Sequence, residues 1–391
     1  MNEQPLIYLD NAATSFPKPE SVYTAIDHYN RHVGAPIGRG AYHKSIALQS
    51  DIDLCRKLAA ELLGAARPEE IAFTFNGTDS LNTIIHGVLK PGDHVVTSDV
   101  EHNSVLRPLQ TLKERWGLES TFIPANESGV VEAAAFREAI RDNTRLIILN
   151  HASNVTGSIQ PVNDVGEIAR NAGVLFLVDA AQTAGHLPIN VSQMPVDFLA
   201  CPGHKGLLGP LGTGLIYLRA ELAEQVNSFR QGGTGTRSEE ETQPETLPDK
   251  FESGNHNAPG LIGLKASLEY LQERGISTIR EHEQESTARL IEGLRDLPGF
   301  DLPGPSQLEG RVGVISLINQ MVEPQVLASI LDENFGIQTR AGLHCAPRIH
   351  RAIQSLDFGG TLRLSPGPFT TMSQIETAIS AMHELADSFH F

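Results

Sequence analysis

Lys205 and Asp179 are the two residues whose types and placement most directly suggest chemistry. Asp179 follows Val174 to Val178, a short, continuously apolar run of the kind that forms a strand buried on both faces, so its carboxylate stands at a strand's carboxyl end. Lys205 closes Cys-Pro-Gly-His-Lys directly after Asp197 to Ala200, which reads as a second short strand. Acid and amine then face one crevice, the place where ligands bind in an open α/β sheet. An amine able to form a Schiff base and an acid able to pair with a pyridinium nitrogen are what chemistry on pyridoxal phosphate asks of a protein.

Further polar clusters lie at strand ends and turns. Gly77-Thr78-Asp79 turns the strand Ile71 to Phe75 into a helix from Leu81 to Leu89. Gly77 permits the tight turn, Thr78 or Asp79 caps the helix, and free backbone N–H groups there suit a phosphate; by itself the pattern is equally an ordinary capped helix. His102 follows the strand His94 to Thr97 and could stack on a flat aromatic ligand or move protons, although a lone histidine also serves as a satisfied hydrogen-bonding residue. His151 to Gly157 brings small polar residues, Asn154 among them, to the end of the strand Leu146 to Leu149. Cys345 lies near Arg340, His344 and Arg348, a setting that favours thiolate, with an incidental loop thiol as the competing reading. Arg363, in the short run Leu362 to Ser365, could hold a carboxylate bidentately or form a surface ion pair.

The elements that must position these groups follow from periodicity. Strands alternating with helices from about residue 70 to 220 predict a largely parallel, doubly wound sheet, with Leu215 to Leu218 antiparallel beside it. Before it, a helix runs from Ser21, its N-cap, to about Val33, and another from Ser45 to Leu63. Gln231 to Glu245 reads as a surface loop, and Phe251 to Gly260 as a hinge before a helix from Leu261 to Arg274. From Ile276 the pattern changes to a strand at Val312 to Ile318, a helix at Pro324 to Asn334, a strand at Ile337 to Arg340 and a final helix after Ser373. The expected division is a large ligand-binding domain over 16–274 and a smaller α+β domain over 1–15 and 275–391 that carries the cysteine loop.

Composition narrows the function. The 391 residues, 40% apolar and 20% charged, describe a globular chain able to bury a large core. A formal charge of −17 repels nucleic acid, and no local basic patch offsets it. No apolar run approaches the roughly 18 residues that span a bilayer, which leads to the expectation of a soluble, cytoplasmic protein without membrane partners. Cys55, Cys201 and Cys345 are too scattered for a disulfide framework or a metal site, and no metal is expected.

Taken in order, the motifs resemble those of the aminotransferase class V group of fold type I pyridoxal-phosphate proteins, nearest to the cysteine desulfurases and selenocysteine lyases with a short cysteine loop. The resemblance rests on Tyr8 to Ala13, Arg39-Gly40 with His43, Gly77-Thr78, Glu101-His102, Ser153 to Gly157, Asp179 to Gln182, Gly203-His204-Lys205, Phe251 to Gly254, Arg340 to Cys345 and Arg363. It implies a large domain with a mainly parallel seven-stranded sheet plus a smaller α+β domain, and a homodimer. It also implies roles. Lys205 forms the Schiff base, Asp179 keeps the pyridine nitrogen protonated, His102 stacks on the ring and Gln182 bonds the phenolic oxygen. Thr78, His204 and the backbone of Gly77 and Asp79 hold the phosphate, with Asn255 of the partner subunit. Asn154 and Arg363, with Arg340 nearby, orient the substrate carboxylate, and Cys345 accepts sulfur.

The implied activity converts L-cysteine to L-alanine and leaves sulfur on Cys345 as a persulfide, to be passed to an acceptor protein. The alternatives are another class V activity (selenocysteine lyase, β-lyase or epimerase) or a catalytically idle regulatory partner. Four places depart from the family pattern: Pro202 replaces a serine that donates to the phosphate, Asn255 replaces a threonine, Leu343 stands where the cysteine loop often has a second polar residue, and Gly367 to Thr371 replaces a Tyr-Asn-Thr run.

Overall fold

The computed structural model describes residues 6–38 and 40–389; Arg39, one of the motif residues, lies outside them. In chain order the first elements are β1 (Ile7–Tyr8), α1 (Glu20–His28), α2 (His43–Leu63), β2 (Ile71–Thr74) and α3 (Gly77–Val88). They are followed by β3 (His94–Ser98), α4 (Asn103–Trp116), β4 (Glu119–Ile123), α5 (Ala133–Ala139), β5 (Thr144–Asn150) and α6 (Val162–Ala172). Then come β6 (Leu175–Asp179), β7 (Phe198–Pro202), β8 (Gly214–Leu218), α7 (Ala258–Arg274) and α8 (Ile276–Leu294). The remainder is β9 (Phe300–Asp301), β10 (Ile315–Asn319), α9 (Pro324–Phe335), β11 (Ile337–Gln338), β12 (Arg340–Gly342), α10 (Ile349–Ala352), β13 (Thr361–Leu364) and α11 (Met372–Ser388).

Seven strands form one sheet in the order β2-β8-β7-β6-β5-β3-β4. The pairs β3–β4, β3–β5, β5–β6 and β6–β7 are parallel, and β8 runs antiparallel to both its neighbours. Alternation along each strand divides the core between the two faces. Val96, Ile147, Leu149, Phe176, Val178 and Leu199 pack into one layer, and Val95, Leu146, Ile148, Leu175, Leu177 and Phe198 into the other. Neither face is left to water, which is why these strands read as continuous apolar runs rather than as alternating ones. The α/β architecture is the one expected.

The remaining strands form a four-stranded sheet, β12-β13-β10-β9, and a parallel pair, β1-β11. Helices α8 and α11 pack together over a second core built from Leu290, Leu317, Leu364, Ile375 and Met382. The cysteine loop does not belong to that core. Ala346, Ile349 and Ile353, just beyond Cys345, pack into the layer formed by α2 and α7 on the main sheet.

Several local expectations are corrected. Helix α1 begins at Glu20 behind Pro19, with no side-chain cap, so Ser21 is not the N-cap. It passes at His28 into a wider turn, Tyr29–Val33, that Gly34 ends at φ +58°. Helix α3 starts earlier than expected, at Gly77, and its cap is Asn76, whose side chain accepts from the Asp79 N–H. Neither Thr78 nor Asp79 caps it. The expected strand Ile337 to Arg340 is two strands in different sheets, β11 and β12.

Candidate active site

The register of the main sheet sets the floor of the site. Asp179 ends β6 opposite Asn150 of β5 and Ala200 of β7. It is 3% exposed, and its Oδ1 accepts the Ala181 N–H at 2.9 Å. Burial pushes its pKa up, while that N–H and the Lys205 ammonium oppose the rise. Beyond β7 the chain turns through Gly203, where a Cβ would lie 2.1 Å from Thr213 Oγ1. Only glycine lets the segment carrying Lys205 approach that closely.

Lys205 reaches into the crevice with no hydrogen-bond partner for Nζ among the described residues. Burial is the main cause that lowers its pKa to about 8, and Arg363 and Arg340 push the same way against Asp179. An amine so placed is largely protonated at pH 7 yet surrenders its proton about 2 units more readily than an ordinary lysine.

The α3 N-terminus forms the second wall. Pro202 packs 3.2 Å from where a Cβ on Gly77 would stand, so the proline lies directly against the turn. Thr78 Oγ1 lies 2.7 Å from Ser104 Oγ, which in turn lies 2.8 Å from His102 Nδ1. His102 caps α4, its Nδ1 accepting the Ser104 N–H at 3.1 Å. Burial, aided by Lys205 and nearby arginines, lowers its pKa to about 4, so the ring is neutral. His204 is held neutral by the same cause, near 4, and its buried Nδ1 has no partner.

The third wall comes from the smaller sheet. Arg363 is 2% exposed; Nη1 donates to the Asn154 carbonyl at 3.0 Å and Nη2 to Asp10 Oδ1 at 2.6 Å. Asn154 Nδ2 donates to the His344 carbonyl at 2.7 Å, and its buried Oδ1 has no partner among the described residues. Gln182 Nε2 donates to the Ala12 carbonyl at 3.0 Å. Cys345 is exposed, and His344 and Cys345 adopt φ +48° and +59°, a left-handed pair without glycine. The Asn103 N–H donates to the Cys345 carbonyl at 2.7 Å and ties this loop to the helix that His102 caps.

All three walls enclose one cavity of about 210 Å³, lined by Gly77, Thr78, His102, Asn154, Asp179, Gln182, His204, Lys205, Arg340, Cys345 and Arg363 among others. One expected residue lies elsewhere. The Asp79 carboxylate accepts the Phe75 N–H at 2.9 Å and pairs with Arg230 at 3.1 Å, and its own N–H is occupied by Asn76. Asn255, expected to act from a partner subunit, is exposed and outside the cavity of its own chain. The cationic setting expected around Cys345 is also reduced. Arg348 is committed to Asp99 at 2.5 Å and lies over the Phe122 ring at 3.9 Å, and buried His344, with a pKa near 2, carries no charge.

Sequence reasoning missed Asn76, Ser104 and Asn150, which also line the cavity. Asn76 had a signal, an N-cap residue one position before the helix. Ser104 had only its proximity to His102. Glu101 was legible as a motif residue but not as a buried acid; burial raises its pKa to about 8, with Oε1 accepting from Ser98 Oγ and the Asn150 N–H. Among the described residues no cluster could hold a metal ion.

The profile of the Aminotransferase class-V family matches residues 7–377. The chain belongs to this family. Over 97% of this chain and 94% of its relative, it is 35% identical to a probable cysteine desulfurase of Methanothermobacter thermautotrophicus. It is 33% identical to a cysteine desulfurase of Yersinia pestis over 88% of this chain and 86% of the other. Among solved structures, the apo cysteine desulfurase of Thermococcus onnurineus superposes with a TM-score of 0.91 at 34% identity, covering 98% and 95% of the two chains. The cysteine desulfurase CsdA of Escherichia coli, in an S-sulfonic acid form, gives 0.87 at 28% identity over 99% and 97%.

Class-V proteins work with pyridoxal phosphate, and this class-V site fits that group. The cavity offers an unpartnered amine at Lys205, a buried carboxylate at Asp179 and a neutral imidazole at His102. It also holds polar atoms that nothing among the described residues satisfies, His204 Nδ1 and Asn154 Oδ1, which a polar ligand would satisfy. When bound, the cofactor supplies the electron sink for chemistry at an amino acid's α-carbon.

Proposed function

We propose that this class-V enzyme is a cysteine desulfurase that converts L-cysteine to L-alanine and takes the sulfur onto Cys345 as a persulfide. The observation that carries the reading is that Cys345 lines the same cavity as Lys205 and Asp179. A thiol and an amine able to activate an α-carbon, facing one cavity, can act on one substrate.

Each residue then has a task. Arg363 and Asn154, with Arg340 opposite, orient the substrate carboxylate, and Lys205 Nζ takes the α-carbon proton. Asp179 keeps the pyridine nitrogen protonated, His102 lies against the ring, and Gln182 bonds the phenolic oxygen. Thr78, Gly77 and His204 hold the phosphate; the Asp79 N–H joins them only by leaving Asn76. The Cys345 thiolate attacks the substrate sulfur: an S–S bond forms, the Cβ–S bond breaks, and its electron pair passes to the carbon side, which gains protons to become alanine. The balance is cysteine plus Cys345 thiol giving alanine plus Cys345 persulfide.

The same reading includes a homodimer in which Asn255 of the partner subunit completes the phosphate grip, and an acceptor protein that relieves Cys345 of its sulfur. It also includes a division into a domain of residues 16–274 and a second of 1–15 with 275–391, and a cytoplasmic location. Among the described residues no helix is long and apolar enough to cross a membrane.

The test is to incubate the purified enzyme, loaded with pyridoxal phosphate, with cysteine, selenocysteine and other amino acids and to separate the products. Alanine with an equal amount of persulfide or sulfide from cysteine is expected. Pyruvate, or an inverted α-carbon with no sulfur released, would move the assignment to a β-lyase or an epimerase; marked preference for selenocysteine would make it a selenocysteine lyase.

A further inference from the structure

Ser104 stands between two residues with separate expected tasks. Its N–H donates to His102 Nδ1 at 3.1 Å, and a backbone N–H can only donate, so Nδ1 carries a lone pair and the proton of the neutral ring is on Nε2. Ser104 Oγ lies 2.8 Å from the same Nδ1, a separation that two lone pairs would not tolerate, so the hydroxyl also donates there. That uses the only proton of Ser104 Oγ. The 2.7 Å contact with Thr78 therefore runs from the Thr78 hydroxyl to Ser104 Oγ. One backbone N–H thus orders three groups, and Thr78 meets a bound phosphate only by turning its proton away from Ser104.

We propose that Ser104 is a positioning residue that holds His102 as its Nε2–H tautomer and couples that ring to the occupancy of the phosphate cradle through Thr78. The proposal rests on the cofactor reading for the cradle, but the Ser104–His102 link stands without it. Donation to Nδ1 favours the uncharged ring, and a donor chain strengthens each member, so Thr78 reinforces the effect. The other groups that act on His102 are Lys205, Arg340, Arg107 and Arg363, all of which also disfavour its protonation.

The experiment follows His102 by nitrogen-15 NMR of the full-length, histidine-labelled protein, assigned with His102→Gln, across pH and with or without added inorganic phosphate or pyridoxal phosphate. Ser104→Ala keeps the backbone N–H, and with it the tautomer, but loses the hydroxyl bond to Nδ1, so the His102 titration is expected to move up by about half a unit to one unit, the value of one hydrogen bond. Ser104→Thr should restore it, and Thr78→Val should move it the same way by less. Inorganic phosphate should perturb the His102 signal in the wild type and much less in Ser104→Ala. An unchanged titration in Ser104→Ala, an equal shift in Ser104→Thr, or a wild-type signal indifferent to phosphate would overturn the proposal. Failure of pyridoxal phosphate to bind the wild type would instead remove the cofactor reading and leave the His102 titration to be judged alone.

Discussion

Arg340 and Arg363 lie directly opposite each other across the antiparallel pair β12–β13, and among the described residues only Arg363 has an acid to answer it, Asp10 at 2.6 Å. Two guanidinium groups side by side repel, and each lowers the proton affinity of Lys205. On the proposed reading, a substrate carboxylate would relieve that repulsion.

The two arginines should therefore fail differently. Arg340→Ala, which loses no side-chain partner among the described residues, is expected to raise KM for cysteine about tenfold or more with little change in urea stability. Arg363→Ala leaves Asp10 without its cation and the Asn154 carbonyl without its donor, and should cost about 3 kcal/mol as well. Urea titration beside steady-state kinetics separates the two outcomes; equal destabilisation by both variants would refute the distinction.

Lys205 is costly to bury while charged. Its folded pKa of about 8 lies below the ordinary 10.5, so the unfolded chain binds the extra proton between those values and stability from this group rises with pH across that window. Lys205→Met in the cofactor-free protein should be more stable than wild type by roughly 3 kcal/mol at pH 7. The gain should vanish above pH 10.5; denaturation curves at pH 7 and above 10.5 test this.

Glu101 has the opposite sign. A carboxyl whose folded pKa is raised from 4.5 to about 8 loses stability as pH rises through that range, because the folded state retains the proton that the unfolded state has released. Glu101→Gln keeps an acceptor for Ser98 and the Asn150 N–H and removes that loss. The variant should match wild type near pH 4.5 and exceed it by about 2–4 kcal/mol at pH 8. A constant difference across pH would show that Glu101 is not a protonated acid at neutrality.

Cys345→Ala should abolish persulfide and lower alanine formation by roughly a thousandfold or more, while cysteine still changes the visible spectrum of the loaded enzyme. Undiminished turnover would exclude Cys345 as acceptor.

Much of the sheet was legible because a strand buried on both faces is a local pattern. Leu175 to Val178 and Leu146 to Leu149 identify themselves by composition, and so does the antiparallel Leu215 to Leu218 beside them. Element ends were less legible. Ser21 is a good cap residue in isolation, yet Pro19 already sets the chain into helix before it, and at α3 the asparagine one position earlier takes the role expected of Thr78 or Asp79. At Cys345 the sequence shows three basic residues, but two of the charges are not available: Arg348 pairs with Asp99, and burial keeps His344 neutral.

By itself the sequence determined which groups exist at strand ends and turns, since an acid after an apolar run or a lysine after Gly-His is placed by its neighbours along the chain. Only the tertiary structure decided which of them meet. Arg363 and Asp10 are 353 positions apart, Arg348 and Asp99 are 249 apart, and Ser104 joins Thr78 to His102 across two helices. Such partnerships are settled by competition among many donors and acceptors for a few buried positions, where an unmade bond is costly, and that competition takes place in three dimensions.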